Sequence, residues 1–116
     1  LAVVDNVVPE GSVGDYVNAF ERFRDLSHLR AWTAVEWRDA LATAGFSITH
    51  AEELPKTMEF EPWAARHDET MQRLLRGMLR EATPAVKAFL NPVETDGRWT
   101  FDLLEALFIA RKPAAA

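Results

Sequence analysis

The first eight residues, Leu1-Ala2-Val3-Val4-Asp5-Asn6-Val7-Val8, constrain this chain most. Apart from Asp5 and Asn6 the run is apolar on both alternating faces, and a strand of that kind needs cover above and below. A parallel sheet flanked by helices supplies such cover. The sequence therefore predicts a strand over residues 1–8, buried on both sides. A buried strand with no lead-in also predicts that structure upstream of Leu1 is missing; an edge strand of a small domain is the plainer alternative.

Pro9-Glu10-Gly11-Ser12 end the strand with turn residues. Ser12 or Asp15 can cap a helix in which Tyr16, Val17, Phe20 and Phe23 recur at helical spacing, ending near Asp25. The polar segment Asp25–Arg30 reads as a loop. Thr33-Ala34-Val35-Glu36 is a capping box, with Trp37, Leu41 and Ala44 as the inner stripe of its helix and Gly45 where a left-handed C-cap is wanted. Phe46–Ala51 alternates as a half-buried strand does; Pro55 is expected to interrupt it before Thr57–Phe60 resumes.

Glu61-Pro62-Trp63 reads as a helix start with proline at the first position, and Met71, Leu74, Leu75, Met78 and Leu79 mark an amphipathic helix. Thr83-Pro84 opens a short helix to about Leu90. Leu90–Gly97, with its Asn, Pro, Asp and Gly, is expected to be a mobile surface loop. Trp99–Asp102 and Leu107–Arg111 are strand-like and can form one bent strand; the tail Lys112–Ala116 is expected to fray. The order is strand, helix, loop, helix, strand, helical insert, strand. Its opening portion is a right-handed crossover unit of a doubly wound sheet, too little for a complete α/β domain.

Composition narrows the function. At 116 residues, 48% hydrophobic and 27% charged, the chain suits one globular domain. A net charge of -5 offers no basic field for nucleic acid or anionic lipid. The absence of cysteine excludes disulfides and thiolate metal sites and fits a reducing compartment. With no apolar run of membrane-spanning length and no basic-then-apolar leader, a soluble cytoplasmic protein is the default expectation. His28, His50 and His67 show no i, i+4 pair, so no metal site is expected.

Three stretches resemble a known family: Val3–Glu10; Arg24–Arg30 followed by Glu36-Trp37 and Ala44-Gly45-Phe46; and Glu105–Pro113. In this order they look like the C-terminal half of class I S-adenosylmethionine-dependent methyltransferases, in the branch of ubiquinone/menaquinone-biosynthesis-type enzymes. The Asp25–Arg30 segment ahead of Glu36-Trp37 is the most specific piece. The resemblance implies a partial doubly wound, Rossmann-like fold with about three sheet strands and a helical insert at about residues 61–91. It also implies that the last strand lies between the other two, antiparallel to both: residues 1–8, then 105–111, then 46–53. Such enzymes hold S-adenosylmethionine on a glycine-rich loop and an acidic residue in their other half. The five glycines here, at 11, 14, 45, 77 and 97, form no G-x-G-x-x-G. The chain is thus expected to contain no cofactor-binding residues, to act in transfer to a small-molecule acceptor only as part of a complete enzyme, and to be inactive alone. A non-catalytic binding or dimerisation module is the alternative.

The candidate catalytic residues are His28, able to take a proton near neutral pH, and Asp25, able to orient its ring. Arg30 can hold a carboxylate or phenolate. Asp5 and Asn6, near the carboxyl end of a strand, are candidate acceptor-binding residues, as are Tyr16 and Trp32. Trp63 also flanks a loop and can touch a substrate. The ordinary alternatives are a loop-stapling network for Asp25, Ser27 and His28, a strand-exit turn for Asp5, and plain core for Tyr16. Arg73, Arg76 and Arg80 share a helix face and read as solvated, balanced by Glu69 and Glu81. Finally, an apolar strand 1–8 lacking a neighbour predicts a homodimer paired along that edge.

Overall fold

The computed structural model describes residues 1–113; Ala114–Ala116, part of the tail expected to fray, lie outside the described residues. The order along the chain is β1 (Ala2–Val7), α1 (Ser12–Arg24), α2 (Ala34–Thr43), β2 (Ser47–Glu59), α3 (Phe60–Ala64), α4 (Glu69–Arg80), α5 (Pro84–Leu90), β3 (Val93–Thr95) and β4 (Arg98–Arg111). The sheet order is β1-β4-β2, with β3 folded back on the start of β4, and every ladder is antiparallel. The last strand does lie between the other two, as the family resemblance implies. β1 and β2 run parallel to each other but never pair, because β4 separates them. The molecule is long, 59 × 25 × 24 Å, with a radius of gyration of 16.5 Å. A compact chain of this length would have about 13 Å.

The opening strand departs from expectation. Among the described residues it pairs with β4 alone along its length, and its two faces are covered unequally. Val3 and Val7 pack with Leu41, Ala106 and Phe108 beneath α2, whereas Val4 on the other face is 59% exposed. The strand is therefore not buried on both sides: α1 covers that second face only at the carboxyl end, where Val8 joins the main core.

Local signals explain most boundaries. The Thr33 hydroxyl accepts from the Glu36 amide while the Glu36 carboxylate accepts from the Thr33 amide, so the capping box is complete. Gly45 takes the left-handed conformation with φ of 90°. Neither Ser12 nor Asp15 caps α1; Gly11 occupies that position without a side-chain bond, and Asp15 contributes to the first turn through its charge alone. Gly14 is required for a different reason. A Cβ there would lie 1.9 Å from the Pro9 carbonyl oxygen, so only glycine lets α1 seat against the strand exit. Phe23 and Ala44 are exposed, which trims both inner stripes to Val17 and Phe20 in α1 and to Leu41 with half-buried Trp37 in α2.

Pro55 does not interrupt β2, which runs unbroken and pairs Pro55 with Leu104. β2 is an edge strand, where an absent N–H need not break the ladder. The insert starts two residues earlier as well: α3 begins at Phe60 with Glu59 as its cap, so Pro62 is third, not first. Thr83 caps α5 with Pro84 at its first position. Residues 90–97 do not form an open loop. Asp96 and Gly97, both at positive φ, make a two-residue turn that pairs Val93–Thr95 with Arg98–Thr100. β4 is one continuous strand of 14 residues.

Candidate functional site

The segment after α1, residues 25–33, is fastened to three elements. Asn18 of α1 accepts from the Ala31 amide (2.6 Å) and donates to the Ala31 carbonyl (3.3 Å). Arg30 places its guanidinium as a two-pronged fork on the Glu36 carboxylate of α2, at 2.8 and 2.5 Å. Trp32 bridges Val7, its carbonyl accepting from the Val8 amide, and its ring leans on Trp37 with centroids 4.8 Å apart. Asn18, Arg30, Ala31 and Glu36, with Pro9 and Gly14, line a cavity of about 310 Å³ at the carboxyl end of β1; Trp32 and Trp37 lie outside its lining. Its charged lining is three carboxylates, Glu10, Asp15 and Glu36, against Arg30 alone.

The electrostatics are local. The Arg30 fork, followed by the Thr33 amide, holds the Glu36 carboxyl down at about 2, and the same pair raises Arg30. Hydrogen bonds from the Ser27 hydroxyl and amide, ahead of Arg66 nearby, lower Asp25. Burial raises Glu21, with His28 opposing the shift.

The predicted site residues separate into groups. Asp25 does not orient His28: its Oδ1 accepts from Ser27 (2.6 and 3.0 Å) and its Oδ2 faces Arg66 at 3.4 Å. The His28 ring instead meets Asn18 Oδ1 at 3.0 Å and Glu21 Oε2 at 3.9 Å. Arg30 lines the cavity, but its fork is filled by Glu36. Asp5 accepts from the Asn6 amide, while the Asn6 side chain accepts from Lys56, which also meets Glu105. Tyr16 is removed from this region, donating to the Met78 carbonyl at 2.6 Å, and burial raises its pKa. Trp63 is core, stacked on Phe20 at 4.7 Å and edge-on to Phe101 at 4.9 Å. The three arginines of α4 are paired with Glu69 and Glu81, a solvated face.

Sequence reasoning missed Asn18, Glu21, Arg66 and His67, whose Nε2 donates to the Arg24 carbonyl. Asn18 alone carried a usable signal: asparagine disfavours helix interiors, so one in the middle of a strongly patterned helix advertises a tertiary bond. Among the described residues no group of three His, Cys, Asp or Glu side chains is placed to hold a metal. No helix is long and apolar enough to cross a membrane.

The strand order, the antiparallel last strand and the helical insert define the C-terminal part of a methyltransferase-type α/β fold. A Bacillus halodurans C-125 protein (BH2331), named as a candidate methyltransferase, matches with a TM-score of 0.87 and 31% identity over 97% of this chain and 55% of its own. The YcgJ protein of Bacillus subtilis has the same fold, at a TM-score of 0.81 and 21% identity over 98% of this chain and 51% of its own. The chain therefore spans about half the length of the solved proteins it matches. No family model matches it, and no curated protein matches it in sequence.

Proposed function

We propose that this chain is the acceptor-side, C-terminal part of an S-adenosylmethionine-dependent methyltransferase that acts in the cytoplasm on a small molecule. The observation that carries the reading is the likeness to BH2331 over 97% of the chain, with the last strand set between β1 and β2. The residues present do not fit the cofactor. Gly14 serves the packing of α1 on Pro9, Gly45 ends α2 and Gly97 makes a hairpin, so none belongs to a phosphate or nucleoside loop. Donor binding is accordingly assigned to an upstream half, and the chain alone is inactive. What its own residues supply is a fixed wall for the acceptor: a segment clamped to β1, α1 and α2 around the cavity at the strand end. Positioning of this kind is a large part of what accelerates group transfer. A quinone-like phenol suits a cavity whose one guanidinium is already neutralised. A small acid would meet two further carboxylates there, Glu10 and Asp15.

The test has two parts. Calorimetry on the chain alone should show no saturable S-adenosylmethionine binding tighter than about 100 μM, roughly 5.5 kcal/mol. The reading frame around residue 1 should continue upstream into a glycine-rich strand–loop–helix, and its full product should transfer methyl groups. A frame without that element would sink the proposal.

The bare end of the sheet favours a second reading, a module that binds a protein or its own copy. There Val4, Leu54 and Ile109 are 59%, 61% and 41% exposed. Homodimerisation through the β1 edge is the form it would take.

A further inference from the structure

Asn18 makes two bonds to one peptide unit, and that pair fixes which end of its amide is oxygen. Oδ1 lies 2.6 Å from the Ala31 amide, which can only donate, and Nδ2 lies 3.3 Å from the Ala31 carbonyl, which can only accept. A flipped amide would set donor against donor and acceptor against acceptor. The oxygen that His28 meets at 3.0 Å is therefore an acceptor, and the ring nitrogen facing it, Nε2, must carry a hydrogen. The second group near Nε2 is Glu21 Oε2 at 3.9 Å, a carboxylate oxygen. Both neighbours demand a proton on the same nitrogen. Among the described residues Nδ1 has no hydrogen-bond partner, and the side chain keeps 22% exposure.

We infer that Asn18 is a positioning residue: it locks His28 in the tautomer protonated on Nε2 and leaves Nδ1 as the ring's proton-accepting atom. The tautomer follows from the hydrogen bonds alone. Its use in catalysis rests on the methyltransferase reading. Asn18 lines the cavity and His28 does not, so an acceptor hydroxyl that reached Nδ1 from the exposed side of the ring would lose its proton there, its O–H bond breaking as N–H forms, with the resulting imidazolium beside the Glu21 carboxylate. Arg24 on α1, Lys56 on β2 and Asp5 on β1 complete the charges acting on the Glu21 end of the pair. The orienting role assigned to Asp25 on sequence grounds thus falls to a neutral amide ten residues upstream of the histidine.

Long-range ¹H–¹⁵N NMR on the labelled chain tests this without donor or acceptor, so its result is separate from the fate of the methyltransferase reading. The chain has three histidines, and His28→Gln assigns the resonances. With its ring neutral, His28 should show a protonated Nε2 and a bare Nδ1. Asn18→Asp keeps an acceptor oxygen for the Ala31 amide and for His28 but loses the donor to the Ala31 carbonyl, so the Nε2-protonated tautomer should persist; Asn18→Leu removes the acceptor, so the Nδ1-protonated form should appear beside it. A His28 protonated on Nδ1 in the unaltered chain would overturn the inference. So would an Asn18→Leu variant in which no Nδ1-protonated form appears.

Discussion

β4 has two ends that bury opposite faces. At its start Trp99, Phe101 and Leu103 point into the main core, under α1 and the insert; Phe101 and Leu103 are 0% and 4% exposed. Further on, Ala106, Phe108 and Ala110 are buried instead, on the side covered by α2, while Ile109 on the first face is 41% exposed. Alternation with period two holds along the strand, yet the buried parity switches from odd to even between Leu103 and Ala106. A strand cannot rotate within a sheet by itself. What changes is the cover: helices lie over one face at one end and over the other face at the other end. The bare face of the far end, with exposed Val4, Leu54 and Ile109, carries no helix among the described residues.

The largest effect should come from the start of β4. Phe101→Ala removes a ring that is edge-on to both Phe20 (5.3 Å) and Trp63 (4.9 Å), and should destabilise by about 3–5 kcal/mol in denaturant unfolding. A loss below about 1 kcal/mol would show that the insert does not depend on this ring.

Trp37→Ala probes the other end and should be milder than a fully buried tryptophan would imply, about 1–3 kcal/mol. Trp37 is half-buried, and its buried indole N–H has no partner, so its removal also relieves an unpaired donor. A loss equal to that of Phe101→Ala would make the two ends equivalent and break the comparison.

Ile109→Lys should leave stability within about 0.5 kcal/mol, because the residue is 41% exposed and belongs to neither buried cluster. If copies pair through this end, the same change should lower the mass measured by light scattering. A chain that is monomeric before and after at high concentration would remove the homodimer from consideration.

The smallest expected effect is in acid. The Glu36 carboxyl is held at about 2 against an ordinary 4.5, so its contribution is fully present above pH 4.5 and is lost as pH falls toward 2. Both it and Arg30 are solvent-accessible, so the slope should be shallow and screened by salt. Glu36→Gln should flatten the stability profile in that window; an unchanged slope would mean that the fork does not persist in solution.

Much of this was legible in the sequence because it depends on neighbours along the chain. The Thr33–Glu36 capping box, the Gly45 stop and the Thr83-Pro84 start each need only a few consecutive residues, and each formed. The resemblance to a known family supplied the position of β4 between β1 and β2, which local pattern could not. Arg30 was singled out from sequence and does reach the cavity, yet its partner Glu36 had been read only as a cap.

The tertiary structure decided what depends on cover and on contacts between distant segments. Pro55 looked like a breaker on local pattern alone, which does not reveal an edge; at an edge, its missing N–H need not break the ladder. Val4 and Val3 are the same residue type in one strand, and only the placement of α1 and α2 separates exposed from packed. Asp25 is the nearest acid to His28 in sequence, but it turns to Ser27 and Arg66, and the ring is held by Asn18, one α-helix away. The physical reason is reach: a hydrogen bond needs about 3 Å between atoms, and folding, not sequence proximity, brings them there.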